Sequence, residues 1–191
     1  MLEFKKPEIS DKEWANKCLA HANSMNCEYT FGNLFIWQKS YSTEICKYKD
    51  FLICKWNDDG ITTYSLPLGE GDFTDAVSAI IDYAKSNVET PVIYGITEGY
   101  LGLMQEAFTG KFTYKYDDGN NDYIYSTEKM ASLSGKKYHG KRNHITNFKK
   151  NNPDWSFEKI SKDNIDECLA LHSKWIENKD PDDEDSQSIL N

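Results

Sequence analysis

An apolar repeat at residues 73–87 is the feature that most constrains the fold of this chain. Apolar side chains recur there at positions i, i+3, i+4, i+7, i+8 and i+11, namely Phe73, Ala76, Val77, Ile80, Ile81 and Ala84. This spacing predicts an amphipathic helix with one buried face. Strand-like segments precede and follow the repeat, so the chain needs a fold that combines helices and strands. We therefore expect a mixed sheet flanked by helices, in the α/β (α+β) class.

Three strand-like segments precede this helix, at residues 43–48, 51–57 and 61–66. The short turns "KD" and "DDG" join them, which is typical of an antiparallel meander. The further strands that the sequence predicts lie at 92–96, 112–117, 122–126 and 155–160.

Six further helices are expected, at 10–22, 30–38, 97–107, 127–134, 137–151 and 164–178. Ser10 and Glu13 have the spacing of a capping box at the start of the first of them. The N-caps predicted for later helices are Asp72, Thr97 and Asp163. His172 falls on the apolar face of the last helix, so we interpret it as a buried, hydrogen-bonded core residue.

The composition of the chain indicates a folded protein outside the membrane. Its 191 residues suit one domain, or one domain plus part of another. Aromatic residues make up 14% of the chain, which is too many for a disordered protein. No apolar run approaches the roughly 20 residues of a membrane span, and "MLEFKKPEIS" lacks the apolar centre of a signal peptide. We therefore expect a cytoplasmic protein.

The five cysteines show neither a C-x-x-C pair nor the spacing of metal ligands. An odd number argues against a complete set of intramolecular disulfides. We predict five reduced thiols, most of them buried. Neither a metal nor another cofactor is predicted for this chain.

Positive charge is concentrated in one segment of an acidic chain. The formal net charge is −9, yet residues 129–153 contain no Asp or Glu. That window, which we call the basic segment, contains seven of the 22 basic residues: Lys129, Lys136, Lys137, Lys141, Arg142, Lys149 and Lys150. Elsewhere the chain has 15 basic against 31 acidic residues.

The basic segment predicts an anion-binding helix. Lys137, Lys141 and His144 would lie on one face at i, i+4 and i+7, beside an apolar face formed by Tyr138, Ile145 and Phe148. Arg142 could bind a phosphate through two parallel hydrogen bonds, and the lysines would act as point charges. The candidate phosphate-binding residues are Lys136, Lys137, Lys141, Arg142 and Asn143. The alternative is an exposed helix whose positive charge pairs with the acidic remainder of the chain.

His144 is a candidate general base, because an unperturbed imidazole titrates near pH ~6.5. Its neighbour Lys141 would favour the neutral form. The alternative is a helix histidine that hydrogen-bonds a neighbouring domain. His139 lies five residues away, off the same helical face, so no metal site is predicted there.

The segment "PLGEGD" at residues 67–72 stands before the helix at 73–87. Gly69 and Gly71 would allow successive backbone N–H groups to hold an anion. However, Glu70 and Asp72 place two negative charges there, and Asp72 is more simply the cap of the helix.

Several of these segments resemble a known family. They are "DYIY" (122–125), "LSGKKYH" (133–139), "KRNHI" (141–145), "FGNLFIW" (31–37) and "PLGEGD". Together they are similar to a family of uncharacterised bacterial proteins related to the C-terminal domain of phosphatidylglycerol lysyltransferase. The resemblance implies a GNAT-like fold (acyl-CoA N-acyltransferase). "PLGEGD" departs from the coenzyme A pattern of active GNAT domains, because Leu66 stands where that pattern has Gln or Arg.

The resemblance also implies two GNAT-like domains in tandem, similar to the Fem-type peptidyltransferases. Residues 1–126 would then form the first domain and 127–152 the basic connecting helices. Residues 153–191 would be the start of a second domain. On this interpretation the chain is an N-terminal fragment and is inactive by itself.

Two functions follow as hypotheses. The first is an acyl- or aminoacyltransferase that holds an anionic donor or substrate through the basic segment. By the resemblance, that ligand would be an aminoacyl-tRNA, an acyl-CoA or a phospholipid headgroup. The second is a non-catalytic module that binds RNA or another anion on a degenerate GNAT fold.

Overall fold

The computed structural model describes residues 1–58, 60–116, 119 and 121–177. These residues belong to two compact units, Met1–Asp122 and Tyr123–Asn191. The domain boundaries predicted at 126 and 152 stay predictions.

The first unit is a mixed sheet with helices on its faces. Its elements in chain order are α1 (Lys12–Ala22), α2 (Phe31–Ile36), β1 (Glu44–Tyr48), β2 (Phe51–Asp58), β3 (Ile61–Ser65), β4 (Leu68–Gly69), α3 (Phe73–Ser86), β5 (Val92–Tyr94) and α4 (Glu98–Ala107). The strands lie in the order β1-β2-β3-β5, and β4 also pairs with β2. β1, β2 and β3 form the predicted antiparallel meander, whereas β5 is parallel to β3. This architecture is the expected α/β class and is consistent with a GNAT-like fold.

The helix α3 connects the two parallel strands and buries the face that the repeat predicted. Ala76, Val77, Ile80 and Ala84 are fully buried, and the last three belong to two of the apolar clusters of the core. Asp72 caps the helix, since its carboxylate accepts a hydrogen bond from the N–H of Asp75 at 2.9 Å. The predicted cap and the predicted apolar face are therefore both confirmed.

One extra residue interrupts the pairing of β2 with β3 and β4. Lys55 lies opposite Tyr64, but Leu52 lies opposite Leu68. The three steps from Leu52 to Lys55 in β2 are thus matched by four steps from Tyr64 to Leu68, which run from β3 to β4. This one-residue excess defines a β-bulge. Beside it, the N–H of Cys54 donates to the hydroxyl of Ser65 at 2.9 Å, so this buried donor is satisfied by a side chain.

The first helix is capped differently from the sequence prediction. A short 3₁₀ turn, Ile9–Asp11, precedes α1. The carboxylate of Asp11, rather than Glu13, accepts a hydrogen bond from the N–H of Glu8 at 2.9 Å. Asp11 is also 2.9 Å from the ammonium group of Lys5. The capping box is therefore displaced toward the N-terminus, because the 3₁₀ turn takes up the three residues before α1.

The second unit contains three helices, α5 (Thr127–Ser132), α6 (His139–Asn151) and α7 (Ile165–Glu177), among its described residues. A 3₁₀ turn, Lys136–Tyr138, stands before α6. The helix break predicted near Gly135 is confirmed, and Gly135 has a φ of 93°, a backbone conformation that suits glycine.

The strands predicted after α4 do not form. Residues 112–116, 122–126 and 155–160 contain no strand, and residue 117 lies outside the described part of the chain. The aromatic residues that suggested them are largely exposed, for example Tyr123 at 90% and Phe157 at 84%. A strand needs the hydrogen bonds of a neighbouring strand, and β propensity does not supply them.

The interpretation of His172 as a core residue is also wrong. Its side chain is exposed on α7, where no described residue is buried. It contacts Trp175 one turn further along the helix, with ring centroids 6.2 Å apart. The apolar face of α7 is present in the sequence, but none of the described residues of the second unit buries it.

The acidic run at 180–185 lies outside the described residues. None of the described helices is both long enough and apolar enough to cross a membrane.

The different burial of the five thiols leads to a prediction for chemical labelling. Cys18, Cys46 and Cys54 are buried, whereas Cys27 and Cys168 are exposed. Burial raises the pKa of the Cys54 thiol to about 12, so almost no reactive thiolate is present at neutral pH. We expect iodoacetamide to modify two cysteines of the native protein and five in denaturant, as measured by intact mass. A third adduct formed at the same rate as the first two would contradict this burial pattern.

Candidate functional site

The "PLGEGD" loop is built around the pairing of β4 with β2. Gly69 lies opposite Phe51, and a Cβ at this glycine would be 2.1 Å from the carbonyl oxygen of Asp50. The carboxylate of Glu70 is 3.2 Å from Nδ1 of His21 on α1. The glycine therefore permits a close backbone approach, and the acidic residues of the loop are engaged in capping and pairing.

The basic segment runs through α5, the 3₁₀ turn and α6. Leu133 ends α5 in the left-handed conformation, with a φ of 49°, and Gly135 continues the turn. Lys137 lies in the 3₁₀ turn, whereas Lys141 and His144 lie in α6, so the predicted basic face begins in a different type of helix. Of the three apolar residues expected beside it, Tyr138 is buried and Ile145 and Phe148 are exposed.

Arg142 closes the turn between the helices. Its Nη1 donates hydrogen bonds to the carbonyl oxygens of Leu133 and Gly135. These carbonyls belong to the turn that ends α5, so the guanidinium positions the start of α6 against the end of α5. A guanidinium has five N–H donors, so Nη2 and Nε still offer donors to a phosphate. Arg142 is therefore both a structural element of the turn and a candidate phosphate ligand.

The lysines of the segment lie close to aromatic rings. The Nζ of Lys141 is 6.0 Å from the ring centroid of Tyr125, and the Nζ of Lys149 is 5.1 Å from that of Trp155. Contacts of this length give a weak cation–π attraction at exposed sites. They orient the ammonium groups without neutralising them.

The candidate polar residues of α6 divide into one pair and one separate side chain. The side-chain nitrogen of Asn143 is 3.2 Å from Nε2 of His139, so this amide bridges within the helix. His144 is exposed on the same helix. Among the residues that the structure describes, no three His, Cys, Asp or Glu side chains are grouped as a metal site.

The charge of the basic segment is uncompensated among the described residues of its own unit. Lys5, Lys49 and Lys55 form ion pairs with carboxylates of the first unit. No carboxylate among the described residues of the second unit lies within 4 Å of a basic-segment lysine or Arg142. Exposed cations of this kind on a short turn and helix are suited to binding phosphate groups.

Comparisons with known proteins agree with this architecture. The family described as "Phosphatidylglycerol lysyltransferase, C-terminal" matches residues 20–190. The chain belongs to this family. The family is described as a domain of a transferase, and the relation suggested by "DYIY", "LSGKKYH" and "KRNHI" is confirmed. No curated protein matches the chain.

A solved structure is also similar to this chain. It is a conserved protein of unknown function from Bacteroides thetaiotaomicron VPI-5482, with 27% sequence identity and a TM-score of 0.83. The match covers 100% of the present chain and 66% of that protein. The chain therefore spans about two thirds of the length of this relative.

The first unit contains a groove that the sequence patterns did not reveal. Its volume is about 770 Å³, and its lining includes Glu28, Asn33, Trp37, Tyr41, Trp56 and Val92. These residues come from the turn before α2, from α2 and the turn after it, and from strands β2 and β5, so their sequence separation hides their proximity. Of the sequence segments quoted above, only "FGNLFIW" contributes to this lining, and its last residue is Trp37.

Tyr29 borders this part of the sheet at the end of β5. Its hydroxyl donates to the carbonyl oxygen of Tyr94 at 3.5 Å, and the next residue is Gly95, with a φ of 76°. A Cβ at Gly95 would lie 2.4 Å from the Tyr29 oxygen, so the phenol occupies the space that another residue would need. Burial raises the pKa of Tyr29, and its hydroxyl therefore stays protonated as a donor.

Proposed function

We propose that this chain is part of an acyl- or aminoacyltransferase of the phosphatidylglycerol lysyltransferase C-terminal type. The first unit is the scaffold, and the basic segment of the second unit holds the phosphate groups of an anionic donor or substrate. The observation that carries the proposal is the family match over residues 20–190. An aminoacyl-tRNA, an acyl-CoA and a phospholipid headgroup share the phosphate chemistry that the segment would bind.

The arrangement of the basic segment supports this role. Lys136, Lys137 and Lys141 lie at the turn and at the start of α6, and Arg142 is held there by two backbone carbonyls. A pre-positioned guanidinium loses little side-chain freedom when it binds a phosphate. His144 is the proposed base that would accept a proton from the attacking group, and Asn143 is the proposed polar partner of the ligand. Catalysis of acyl transfer rests on orientation and on stabilising the charge of the tetrahedral intermediate.

A second function is favoured by the charge alone. The cations of the basic segment have no carboxylate partner among the described residues of their unit. Such unpaired positive charge is sufficient for a module that binds RNA or another anion and catalyses no reaction. The two functions differ in turnover, because a binding module forms no product.

The binding experiment uses total tRNA, coenzyme A and phosphatidylglycerol vesicles as separate probes. We expect affinity for at least one of them to fall steeply between about 50 and 200 mM salt, because bound phosphates release counterions. Changing Lys137 and Lys141 to alanine should weaken that binding and lower the slope of log affinity against log salt by about 1 for each lysine that binds a phosphate. The matched control is Lys162→Ala, an exposed lysine of the same unit outside the basic segment. If the double variant and the control bind each probe equally, the basic segment has no role in anion binding.

The turnover experiment tests the transferase proposal itself. The natural protein that contains residues 1–191 is mixed with radiolabelled aminoacyl-tRNA, or with labelled acyl-CoA, and with phosphatidylglycerol vesicles. The expected result is transfer of label to the lipid fraction by the natural protein and no transfer by the Lys137→Ala/Lys141→Ala protein. Salt-dependent binding without transfer of label from either donor would favour the binding module.

A further inference from the structure

We propose that the groove of the first unit binds a ligand that carries an ammonium group. The groove lies between Glu28, Trp37, Tyr41 and Trp56, and this set is called the aromatic groove below. The proposal concerns the first unit and is independent of phosphate binding by the basic segment.

The floor of the aromatic groove is a row of side chains across three strands. Trp56 lies opposite Thr63, and Thr63 lies opposite Val92, so β2, β3 and β5 present these residues on one face. α1 and α2 cover the other half of that face, where Leu34, Cys54 and Leu68 belong to the core. The uncovered half is thus a concave surface between a packed helix and a sheet. Its volume of about 770 Å³ falls in the range of small-molecule sites.

The walls of the groove are aromatic and accessible. Trp37 is the C-cap residue that follows α2, and Tyr41 lies one turn later. Their ring centroids are 6.1 Å apart and their planes are tilted by 53°. Trp37 is 38% exposed and Tyr41 is 57% exposed. Trp56 lines the same groove, so a ligand there meets three aromatic side chains. The faces of such rings attract a compact cation.

The charge of the lining decides which ligand fits. Glu28 is the one charged residue among the described residues that line the groove. Its carboxylate has no ion pair in the part of the chain that the structure describes. Likewise, no described lysine or arginine lies over Trp37, Tyr41 or Trp56, whereas such cation–ring pairs do occur elsewhere in the described chain. An aromatic corner with an unpaired carboxylate therefore favours an external cation over a neutral or anionic ligand.

The test compares choline with 3,3-dimethylbutan-1-ol, a neutral molecule of the same shape. Each is titrated into the whole chain at constant ionic strength, and binding is followed by NMR through the indole N–H signals. We expect choline to bind at least tenfold more tightly than the alcohol and to shift the signals of Trp37 and Trp56. Equal affinities, or shifts that exclude these two indoles, would overturn the proposal.

Two variants locate the site, each with its own control. Trp37→Leu is expected to weaken choline binding at least tenfold, while Trp155→Leu, which removes an exposed tryptophan outside the groove, should change it less than twofold. Glu28→Gln preserves shape and should reduce the preference for choline over the alcohol to less than threefold. Glu13→Gln is its control, as an exposed glutamate on α1 that does not line the groove. If choline binding survives both Trp37→Leu and Glu28→Gln in proteins with native circular dichroism, the ligand does not bind in the aromatic groove.

Discussion

Replacing Gly69 with alanine is expected to destabilise the first unit by about 3 to 5 kcal/mol, the combined effect of a clash with a neighbouring backbone and a strained backbone conformation. An added Cβ would lie 2.1 Å from the carbonyl oxygen of Asp50 and 3.0 Å from the Cα of Phe51. Both are backbone atoms of the turn and strand that pair with β4, so neither can move without breaking the pairing. The φ of 156° at Gly69 adds to the cost, because side-chain-bearing residues rarely adopt it.

The measurement is the free energy of unfolding from urea titration. Gly102→Ala is the matched control, because Gly102 lies inside α4 and a Cβ there meets no atom within 4 Å. Alanine in a helix interior should stabilise that variant by about 0.5–1 kcal/mol. Opposite signs for the two glycine-to-alanine changes are therefore expected. A destabilisation of less than about 1 kcal/mol at Gly69 would mean that the loop can move away from β2.

Helix α7 is expected to exchange its amide hydrogens at least about 100-fold faster than α3 in this chain, since local opening free energies follow burial. Four side chains of α3 are fully buried, whereas no described residue of α7 is buried. The segment before α7 is also exposed, including Trp155, Phe157 and Ile160. A single helix without a packed face is marginal in water, so α7 should open often.

Hydrogen exchange followed by mass spectrometry checks this directly, with peptides from 73–86 and 165–177 compared in one sample. Peptides from α4 provide an internal reference, because that helix buries Met104. Protection of α7 equal to that of α3 would show that its apolar residues are covered in solution. In that case residues 153–177 would be a stable part of the fold rather than a loosely held extension.

Local patterns predicted the elements whose partners are near in sequence. The apolar repeat of α3, its Asp72 cap and the meander of β1 to β3 were all predicted from spacing, short turns and capping chemistry. The basic segment was also evident, because a run without acidic residues can be read directly from the chain. Its break near Gly135 followed from the conformational freedom of glycine.

Long-range pairing determined what local patterns could not. The expected strands at 112–117, 122–126 and 155–160 have suitable β propensity, but their described residues have no neighbouring strand. The same limit explains His172, whose apolar helical face predicts burial only where another element covers it. A periodic pattern indicates what a segment can bury, and it does not supply the surface that buries it.

The sequence by itself determined the helices, the meander, the family and the place of the positive charge, since each depends on residues close together in the chain. Tertiary structure alone decided that Arg142 holds the turn after α5, that Gly69 must lack a side chain, and that Trp37, Tyr41, Trp56 and Glu28 share one groove. These features depend on atoms brought together by strand register and helix packing. Spacing along the chain carries no information about such distances.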